Sequence, residues 1–207
     1  MPSNLEDQKV NCAVMGASER QATFLNMARK RMGGEVRPDS NVNEEVVGFY
    51  DELHEPLYRY FLYRGLPEED ATEGVQETFL RLFEHLRARG NRINLRGWIF
   101  QVARNLIRDE FKSARRQRTE QFDVTAGRGR VDHADPQDNP EEQILRLERL
   151  RRLPLSLENL TTQQRECFLL RASGLRYREI AEVLGVSVSN VGELVQRAID
   201  QLREDLR

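Results

Sequence analysis

Cysteine and histidine are scarce in this sequence, and their placement excludes several kinds of site. The 207 residues include two cysteines, Cys12 and Cys167, which lie far apart and outside any CxxC pattern. Neither a disulfide framework nor a zinc site follows from that spacing. The three histidines are scattered, and no Ser/His/Asp or Glu/His cluster or phosphate-binding glycine loop is present. We therefore predict no catalytic residue, no metal site and no cofactor, and we expect a protein that is not an enzyme.

Long apolar runs are missing as well. No apolar stretch approaches the ~20 residues that span a bilayer, and the amino-terminal residues lack the basic-then-apolar pattern of a signal peptide. We therefore expect no membrane insertion and a reduced, cytoplasmic protein. The net charge is only −2 although 32% of the residues are charged, so the total charge does not by itself indicate a nucleic-acid partner.

Helical periodicity, in contrast, is strong. Apolar residues recur at three- and four-residue steps, and no alternation typical of strands occurs. The predicted fold class is all-α, with an N-terminal helical bundle over 44–117 and a C-terminal helix-turn-helix domain over 142–207. Residues 118–141 contain proline, glycine and an excess of acids, and are predicted to form a flexible acidic linker. Residues 1–43 are predicted to be a partly flexible extension.

Caps and breakers predict where the helices begin and end. In the N-terminal bundle, Gly65 and Gly90 are expected to end the first two helices. In the C-terminal domain, Pro154 is expected to break a helix that includes Ile144. Thr161 or Thr162 is expected to cap the next helix.

The segment 176–203 has the pattern of a DNA-binding helix-turn-helix, with a plain helical hairpin as the alternative. A small residue at Ala181 allows the two helices to cross closely, and Gly185 supplies the turn. On the second helix, the outward face offers a glycine, an acid and a leucine where basic side chains would grip DNA. These three residues are Gly192, Glu193 and Leu194. The residues predicted to face inward from the same helix are Val188, Val191, Val195 and Ala198.

A basic segment provides a second signal. Between residues 87 and 118, ten basic side chains oppose two acids, which gives a local charge of +8 (ten minus two). Such a cluster is an electrostatic footprint for phosphates. The interleaved aromatics Trp98, Phe100 and Phe111 suit the stacking of unpaired bases. The alternative is a solvated helix face with Trp98 and Phe111 in the core.

Three stretches, in this order, resemble the extracytoplasmic-function sigma factors, the smallest class of the bacterial sigma-70 family. They are "EDATEGVQETFLRLFEHL", "RGWIFQVARNLIRDEFKSARRQ" and "LTTQQRECFLLRASGLRYREIAEVLGVSVSNVGELVQRAIDQLR". The resemblance covers residues 44–207 and leaves residues 1–43 outside. It implies a protein that directs bacterial RNA polymerase to specific promoters and assists promoter melting.

The first stretch is similar to the helix with a D-x-V-Q-E-T-F core that binds the clamp helices of the polymerase β′ subunit. Gln76 and Glu77 are implied to face the polymerase, whereas Phe79 is implied to pack inside. Gly74 stands where a large aliphatic residue is usual; glycine costs about 1 kcal/mol in a helix relative to alanine, so a neighbour approaches closely or the helix is weaker. The implied polymerase-binding residues are Asp70, Glu73, Gln76 and Glu77.

The second stretch is similar to the promoter-melting helix, W-L-x-x-I-A-R-N. Asn105 is implied to lie near a pocket for a base flipped out of the minus-ten element, and the loop 89–94 is implied to contribute to that pocket. An amide has both donors and acceptors for a base edge. The residues implied in minus-ten binding and melting are Trp98, Arg104, Asn105, Arg108, Lys112, Arg115 and Arg116.

The third stretch is similar to the domain that binds the minus-thirty-five element, but it departs from T-V-K-S-R-L-x-R-A-R. The aligned residues are N-V-G-E-L-V-Q-R-A-I, so three expected basic residues are absent and phosphate binding is expected to be weak. Glutamate and glutamine can still read cytosine and adenine. The implied DNA-binding residues are Arg176, Arg178, Ser187, Ser189, Asn190, Glu193, Gln196 and Arg197.

The resemblance also implies partners. They are core RNA polymerase, through the β′ clamp helices and the β flap, then promoter DNA, and an anti-sigma factor or another regulator. The altered recognition helix leaves an alternative open, in which the C-terminal domain binds a protein partner rather than duplex DNA. The acidic linker either mimics nucleic acid in a basic channel or serves only as a tether.

Overall fold

The fold consists of two helical units. The computed structural model describes residues 40–117, residue 148 and residues 151–207, and describes no side chain at 40 or 111–117. The helices of the N-terminal unit are α1 (Ser40–Tyr63), α2 (Glu68–Arg87) and α3 (Leu95–Gln117). The C-terminal unit has a helical segment over 151–158 and then α4 (Thr162–Ala172), α5 (Tyr177–Leu184) and α6 (Val188–Asp205). All regular secondary structure in these ranges is helical, which confirms the predicted class.

Some sequence predictions fall beyond these ranges. The linker 118–141, most of the extension 1–43 and the expected helix around Ile144 lie outside the described residues. The side chains of Phe111, Lys112, Arg115 and Arg116 do so too, although their backbone belongs to α3.

Glycines at positive φ end helices in both units. Gly65 follows α1 with φ of +92°, and its N–H donates to the Leu62 carbonyl at 2.9 Å. Gly185 follows α5 with φ of +68°, a left-handed conformation that glycine adopts without a Cβ clash. Both positions behave as the sequence predicts. The second helix ends earlier than expected, at Arg87 rather than at Gly90.

N-cap side chains stabilise the starts of two helices of the C-terminal unit, α4 and α6. The Thr161 hydroxyl accepts from the Gln164 N–H at 3.3 Å, and the Gln164 side chain accepts from the Thr161 N–H at 2.9 Å. This reciprocal capping box settles the choice between Thr161 and Thr162 in favour of Thr161. Ser187 caps α6 by accepting from the Asn190 N–H at 3.2 Å. Each such cap contributes about 1 kcal/mol.

Two prolines lie inside helices. Pro56 lies within α1, and Pro154 lies within the helical segment 151–158, so the prediction that Pro154 breaks a helix is wrong. A proline removes one backbone donor, but its φ is already helical. Buried leucines close to each proline tie the helix to the core and favour its continuation. They are Leu53 and Leu57 near Pro56, and Leu157 near Pro154.

Gly74 allows α1 and α2 to pack closely. A Cβ at this position would lie 2.8 Å from Cε1 and Cζ of Phe61, a fully buried ring of α1. Carbon atoms do not approach that closely without a shift of the ring or the helix. Of the two roles considered for this glycine, the structure therefore supports close approach.

The two faces of α6 differ from the predicted ones at two positions. Val191, Val195 and Ala198 are buried as expected. Leu194 is only 8% exposed and belongs to the core, whereas Val188 is 45% exposed, so both assignments were wrong. Leu194 lies three residues after Val191 and four before Ala198, which widens the apolar stripe, and Val188 is the first residue of the helix.

The two units pack against each other. Buried side chains of both units belong to one hydrophobic cluster, in which Tyr60, Phe61 and Phe100 come from the N-terminal unit and Cys167 and Leu170 from the C-terminal unit. Polar contacts also join the units, among them a hydrogen bond from the Asn94 amide to Glu182.

Candidate polymerase and promoter interfaces

The predicted polymerase-binding residues all lie on α2. Positions 70, 73 and 77 follow one side of the helix at steps of three and four residues. Glu73 is exposed, while Asp70, Gln76 and Glu77 are half-buried. The Glu77 carboxylate accepts a hydrogen bond from Arg81 Nε at 2.8 Å. The result is a partly acidic helix face, and Phe79 points away from it into the core, as predicted.

His85 anchors the loop between α2 and α3. Its ring stacks on Trp98 with centroids 4.5 Å apart and an interplanar angle of 26°. Its Nε2 lies 2.8 Å from the Asn91 carbonyl oxygen, so this nitrogen donates. A Cβ at Gly90 would overlap the His85 ring, so the close approach of loop and ring needs glycine there. No sequence motif indicated this role for His85.

Two asparagines shape the rest of the loop. The Asn91 side chain accepts from the Ile93 N–H at 2.9 Å. Asn94 has φ of +53°, and its side chain accepts from the Gly97 N–H at 3.0 Å, which caps the start of α3. Ile93, at the outer edge of the loop, is 79% exposed. The loop predicted to lie beside the flipped base is therefore held by side-chain hydrogen bonds.

The predicted melting residues follow along α3. Trp98, Arg104 and Asn105 are half-buried and Arg108 is exposed. Phe100 is fully buried and packs edge-on against Tyr60 with centroids 5.5 Å apart. Base stacking by Phe100 is thus excluded in this arrangement. The sequence left two alternatives for Trp98, base stacking or a place in the core. Trp98 packs against the core but is only half-buried, so it agrees in part with each of them.

The basic segment is partly neutralised by distant acids. Arg92 forms a salt bridge with Glu45, and Arg96 forms one with Glu52. Both carboxylates come from α1, more than forty positions away. The sequence count of charges between residues 87 and 118 could not include these partners, so it overstated the charge available to phosphates.

A buried carboxylate of the C-terminal unit contacts α3. Glu166 of α4 accepts a hydrogen bond from the Tyr60 hydroxyl. Its Oε2 lies 2.7 Å from Arg64 Nη1, and its Oε1 lies 3.7 Å from Arg104 Nε. Burial and the neighbouring Glu166 raise the pKa of Tyr60 well above its ordinary value, so the hydroxyl remains a donor. The only signal in the sequence is one glutamate inside the apolar run "ECFLL".

The helix-turn-helix exposes the predicted minus-thirty-five residues. Arg176 and Arg178 on one element, and Ser187, Ser189 and Asn190 on the next, are all exposed. Ser187 also serves as the cap of α6, so its hydroxyl already has a backbone partner. The other three residues of the predicted set are also exposed, namely Glu193, Gln196 and Arg197.

The outer side chains of α6 pair with one another. Arg197 contacts Glu193 at 3.2 Å, and the Gln196 amide donates to Asp200 at 3.0 Å. Gly192 leaves room beside the exposed ring of Tyr177, since a Cβ there would lie 3.7 Å from Tyr177 Cε2. This face is nearly neutral, in agreement with the missing basic residues.

Two family models match the chain. Sigma-70 region 2 matches residues 49–117, and Sigma-70 region 4 matches residues 150–202. The first contains the end of α1, α2 and α3, and the second contains the helix-turn-helix. Both units of the fold thus belong to the sigma-70 class.

Similar proteins define the family more narrowly. The ECF RNA polymerase sigma factor BldN of Streptomyces coelicolor is 31% identical over 190 residues, which cover 90% of this chain and 67% of that protein. The ECF RNA polymerase sigma factor SigL of Mycobacterium tuberculosis is 32% identical over 163 residues, which cover 76% of this chain and 86% of that protein. The chain belongs to the ECF RNA polymerase sigma factors, and as a sigma factor it directs RNA polymerase.

Solved structures share the fold. CnrH in complex with the cytosolic domain of CnrY superimposes with a TM-score of 0.52 and 23% identity, covering 89% of this chain and 94% of that one. The sigma factor RpoE in complex with the anti-sigma factor NepR from Bartonella quintana gives a TM-score of 0.56 and 21% identity, covering 77% and 94%. Within the described ranges, no helix is long and apolar enough to cross a membrane.

Proposed function

We propose that the two units divide the work of promoter recognition. The N-terminal unit docks on core polymerase and opens the minus-ten element, and the C-terminal unit contacts the minus-thirty-five element. The observation that carries this division is that the two matched regions coincide with the two helical units, and that on each unit the predicted contact residues with described side chains are accessible at least in part. The protein acts in the cytoplasm, as a transcription factor without catalytic residues of its own.

The polymerase surface is the acidic face of α2. Asp70, Glu73, Gln76 and Glu77 offer carboxylate and amide groups on a helix that is stabilised by its own buried stripe, from Val75 to Leu86. A rigid helix loses little conformational freedom on docking, which favours binding to another helical element such as the β′ clamp helices. Contact with the β flap is assigned to the C-terminal unit.

The minus-ten surface is α3 with the loop held by His85. Asn105 has an amide suited to the edge of a flipped base, and the cost of unstacking that base is recovered in such a pocket. Arg104, Arg108 and the basic residues Lys112, Arg115 and Arg116 follow the same helix and would bind phosphates of the separated strands.

The minus-thirty-five surface is α6 with the arginines near α5. Its affinity for duplex DNA is low because the Glu193–Arg197 and Gln196–Asp200 pairs occupy the groups that would meet DNA. The same observation favours a second candidate, in which this domain docks on a protein such as an anti-sigma factor or an activator. RpoE was co-crystallised with the anti-sigma factor NepR, and CnrH was solved in complex with the cytosolic domain of CnrY, which supports a protein regulator for this chain.

Run-off transcription tests the proposal. Holoenzyme reconstituted from core polymerase and the full chain is used to select bound DNA from a random library, and the selected fragments serve as templates. We expect a transcript that depends on this protein, and a selected sequence with two conserved blocks. Conservation in the minus-ten block alone would favour the protein-docking role of the C-terminal unit, and the absence of any dependent transcript would contradict the proposal.

A further inference from the structure

The contact between the two units contains a site for an anion. Tyr60 and Arg64 at the end of α1, and Arg104 on α3, surround the carboxylate of Glu166. Glu166 is 6% exposed and Arg64 is 18% exposed, so these two groups are shielded from solvent, whereas Arg104 is 39% exposed and lies at the outer edge of the arrangement. The three groups of the N-terminal unit are all donors and bring two positive charges to one negative charge.

Glu166 does not satisfy every hydrogen-bond donor that surrounds it. Both carboxylate oxygens are engaged, one by Tyr60 and Arg104 and the other by Arg64 Nη1. Arg64 Nε is nevertheless buried with no hydrogen-bond partner. Buried unpaired donors are rare in folded proteins because they lose their water without compensation. A phosphate has more acceptor oxygens than a carboxylate and suits a guanidinium that presents several N–H groups.

The packed arrangement cannot bind both promoter elements. The minus-ten and minus-thirty-five elements lie roughly 25 base pairs apart, which is roughly 85 Å of duplex. In this structure the two surfaces are neighbours, because the Asn94 amide of the loop 89–94 donates a hydrogen bond to Glu182 of the helix-turn-helix. The units must therefore separate on a promoter, and separation removes Glu166 from Tyr60, Arg64 and Arg104.

We propose that Tyr60, Arg64 and Arg104 bind a backbone phosphate of promoter DNA, and that Glu166 occupies this site when the units are packed together. The inference rests on the proposed function and adds two DNA-contacting residues, Tyr60 and Arg64, that no sequence motif indicates. Glu166 acts as an internal competitor, so the packed form keeps Arg104 from DNA until polymerase or a promoter separates the units.

The first test is DNA binding by the free full-length protein. The probe is a fluorescein-labelled single-stranded DNA of mixed sequence, and anisotropy is measured over a range of salt concentrations. Glu166→Gln should bind about tenfold more tightly than the wild type, and its salt dependence should steepen by about 0.7 in log–log slope for one added phosphate contact. Adding Arg64→Gln to Glu166→Gln should abolish both changes.

Two variants act as controls for the charge and for the opening of the units. Glu158→Gln removes the same charge from an exposed position in the segment 151–158 and should leave binding unchanged. Glu182→Ala removes the acceptor of the Asn94 hydrogen bond without altering the anion site. An equal gain from Glu158→Gln would reduce the effect to net charge and overturn the inference. So would a gain in Glu166→Gln that survives Arg64→Gln, or no gain at all.

A second measurement does not depend on Glu166→Gln folding. Arg64→Gln alone is assembled into holoenzyme on a promoter obtained by selection. The log–log slope of promoter affinity against salt concentration should become shallower by about 0.7 to 0.9, which corresponds to one lost phosphate contact. Core-polymerase binding should be unchanged. Unaltered promoter binding overturns the inference. In the first test, tighter binding of a polyglutamate peptide than of DNA to the Glu166→Gln variant would also overturn it and would assign the site to a protein ligand. If wild-type holoenzyme gives no transcript that depends on this protein, the proposed function itself fails. The run-off assay detects that failure independently of the salt slope, so the two outcomes are distinguishable.

Discussion

The two helices proposed to contact promoter DNA, α3 and α6, balance their charges in opposite ways. On α3 and its loop, arginines outnumber acids locally, and the acids that balance some of them come from other parts of the fold, such as Glu45, Glu52 and Glu166. On α6, the balance is local, through the Glu193–Arg197 and Asp200–Arg203 ion pairs, whose members are three or four residues apart. The contact of Arg104 with Glu166 crosses the two units and would be lost on their proposed separation, whereas charge balanced within one helix stays neutral wherever that helix goes. In that proposal, only the N-terminal surface gains free charge when the units separate.

The largest expected effect concerns which side of α6 is interior. Leu194→Ala should lower the free energy of unfolding by about 2 to 4 kcal/mol, because it removes a core side chain and leaves a cavity. Val188→Ala should change it by less than about 0.5 kcal/mol, because Val188 is exposed. Urea denaturation of the two variants measures both values. Equal losses would restore the inward position of Val188 that periodicity alone suggested.

The next prediction tests whether the Asn105 amide contributes to promoter opening separately from the positive charge of α3. Asn105→Ala should reduce promoter opening about tenfold, equivalent to about 1.4 kcal/mol, because the flipped base loses its amide partner. Polymerase binding should be unchanged. Permanganate footprinting measures opening, and a pull-down with core polymerase measures binding. Gln101→Ala, an exposed position on the same helix, is the control. Parallel losses of opening and binding in Asn105→Ala would refute the role assigned to this residue.

A pH dependence tests the junction between the two units. Tyr60 has a folded-state pKa raised by burial and by Glu166, so its contribution to stability is complete below the unfolded-state pKa near 10 and is lost as pH rises above it. From pH 9 to pH 11, the free energy of unfolding of the wild type should therefore fall by about 1 kcal/mol more than that of Tyr60→Phe. Urea denaturation at the two pH values measures this difference. Identical falls in the two proteins would show that the Tyr60 hydroxyl is not buried against Glu166.

The smallest effect tests the neutral face of α6. Gly192→Lys should raise duplex affinity a few-fold and steepen the salt slope by about 0.9, because it adds one phosphate contact. The control is Gly192→Ala, whose Cβ has room 3.7 Å from the Tyr177 ring and adds no charge. Anisotropy with selected promoter duplex measures both. If Gly192→Lys and Gly192→Ala bind alike, this face does not meet DNA, and the protein-docking role of the domain is favoured.

Much of the fold follows from local signals in the sequence. The helical class, the cap at Thr161, the turns at Gly65 and Gly185 and the buried stripe of α6 each depend on a few neighbouring residues and their periodicity. The failure at Pro154 arises because the packing of neighbouring helices overrides a local preference when enough apolar surface is buried. The failure at Val188 has another cause: this residue is the first of α6 and is exposed at the end of the helix, although it continues the apolar period.

The sequence by itself determined the family, the helical class and the candidate residues along α2, α3 and α6, because these depend on motifs and spacing within single helices. Only the tertiary structure decided which of those residues already have partners. Glu166 lies more than a hundred positions from Tyr60 and over sixty from Arg104, and His85 meets Asn91 only because Gly90 lets the loop fold back. Such contacts have no periodic signature, since they arise where separate helices converge and exclude water.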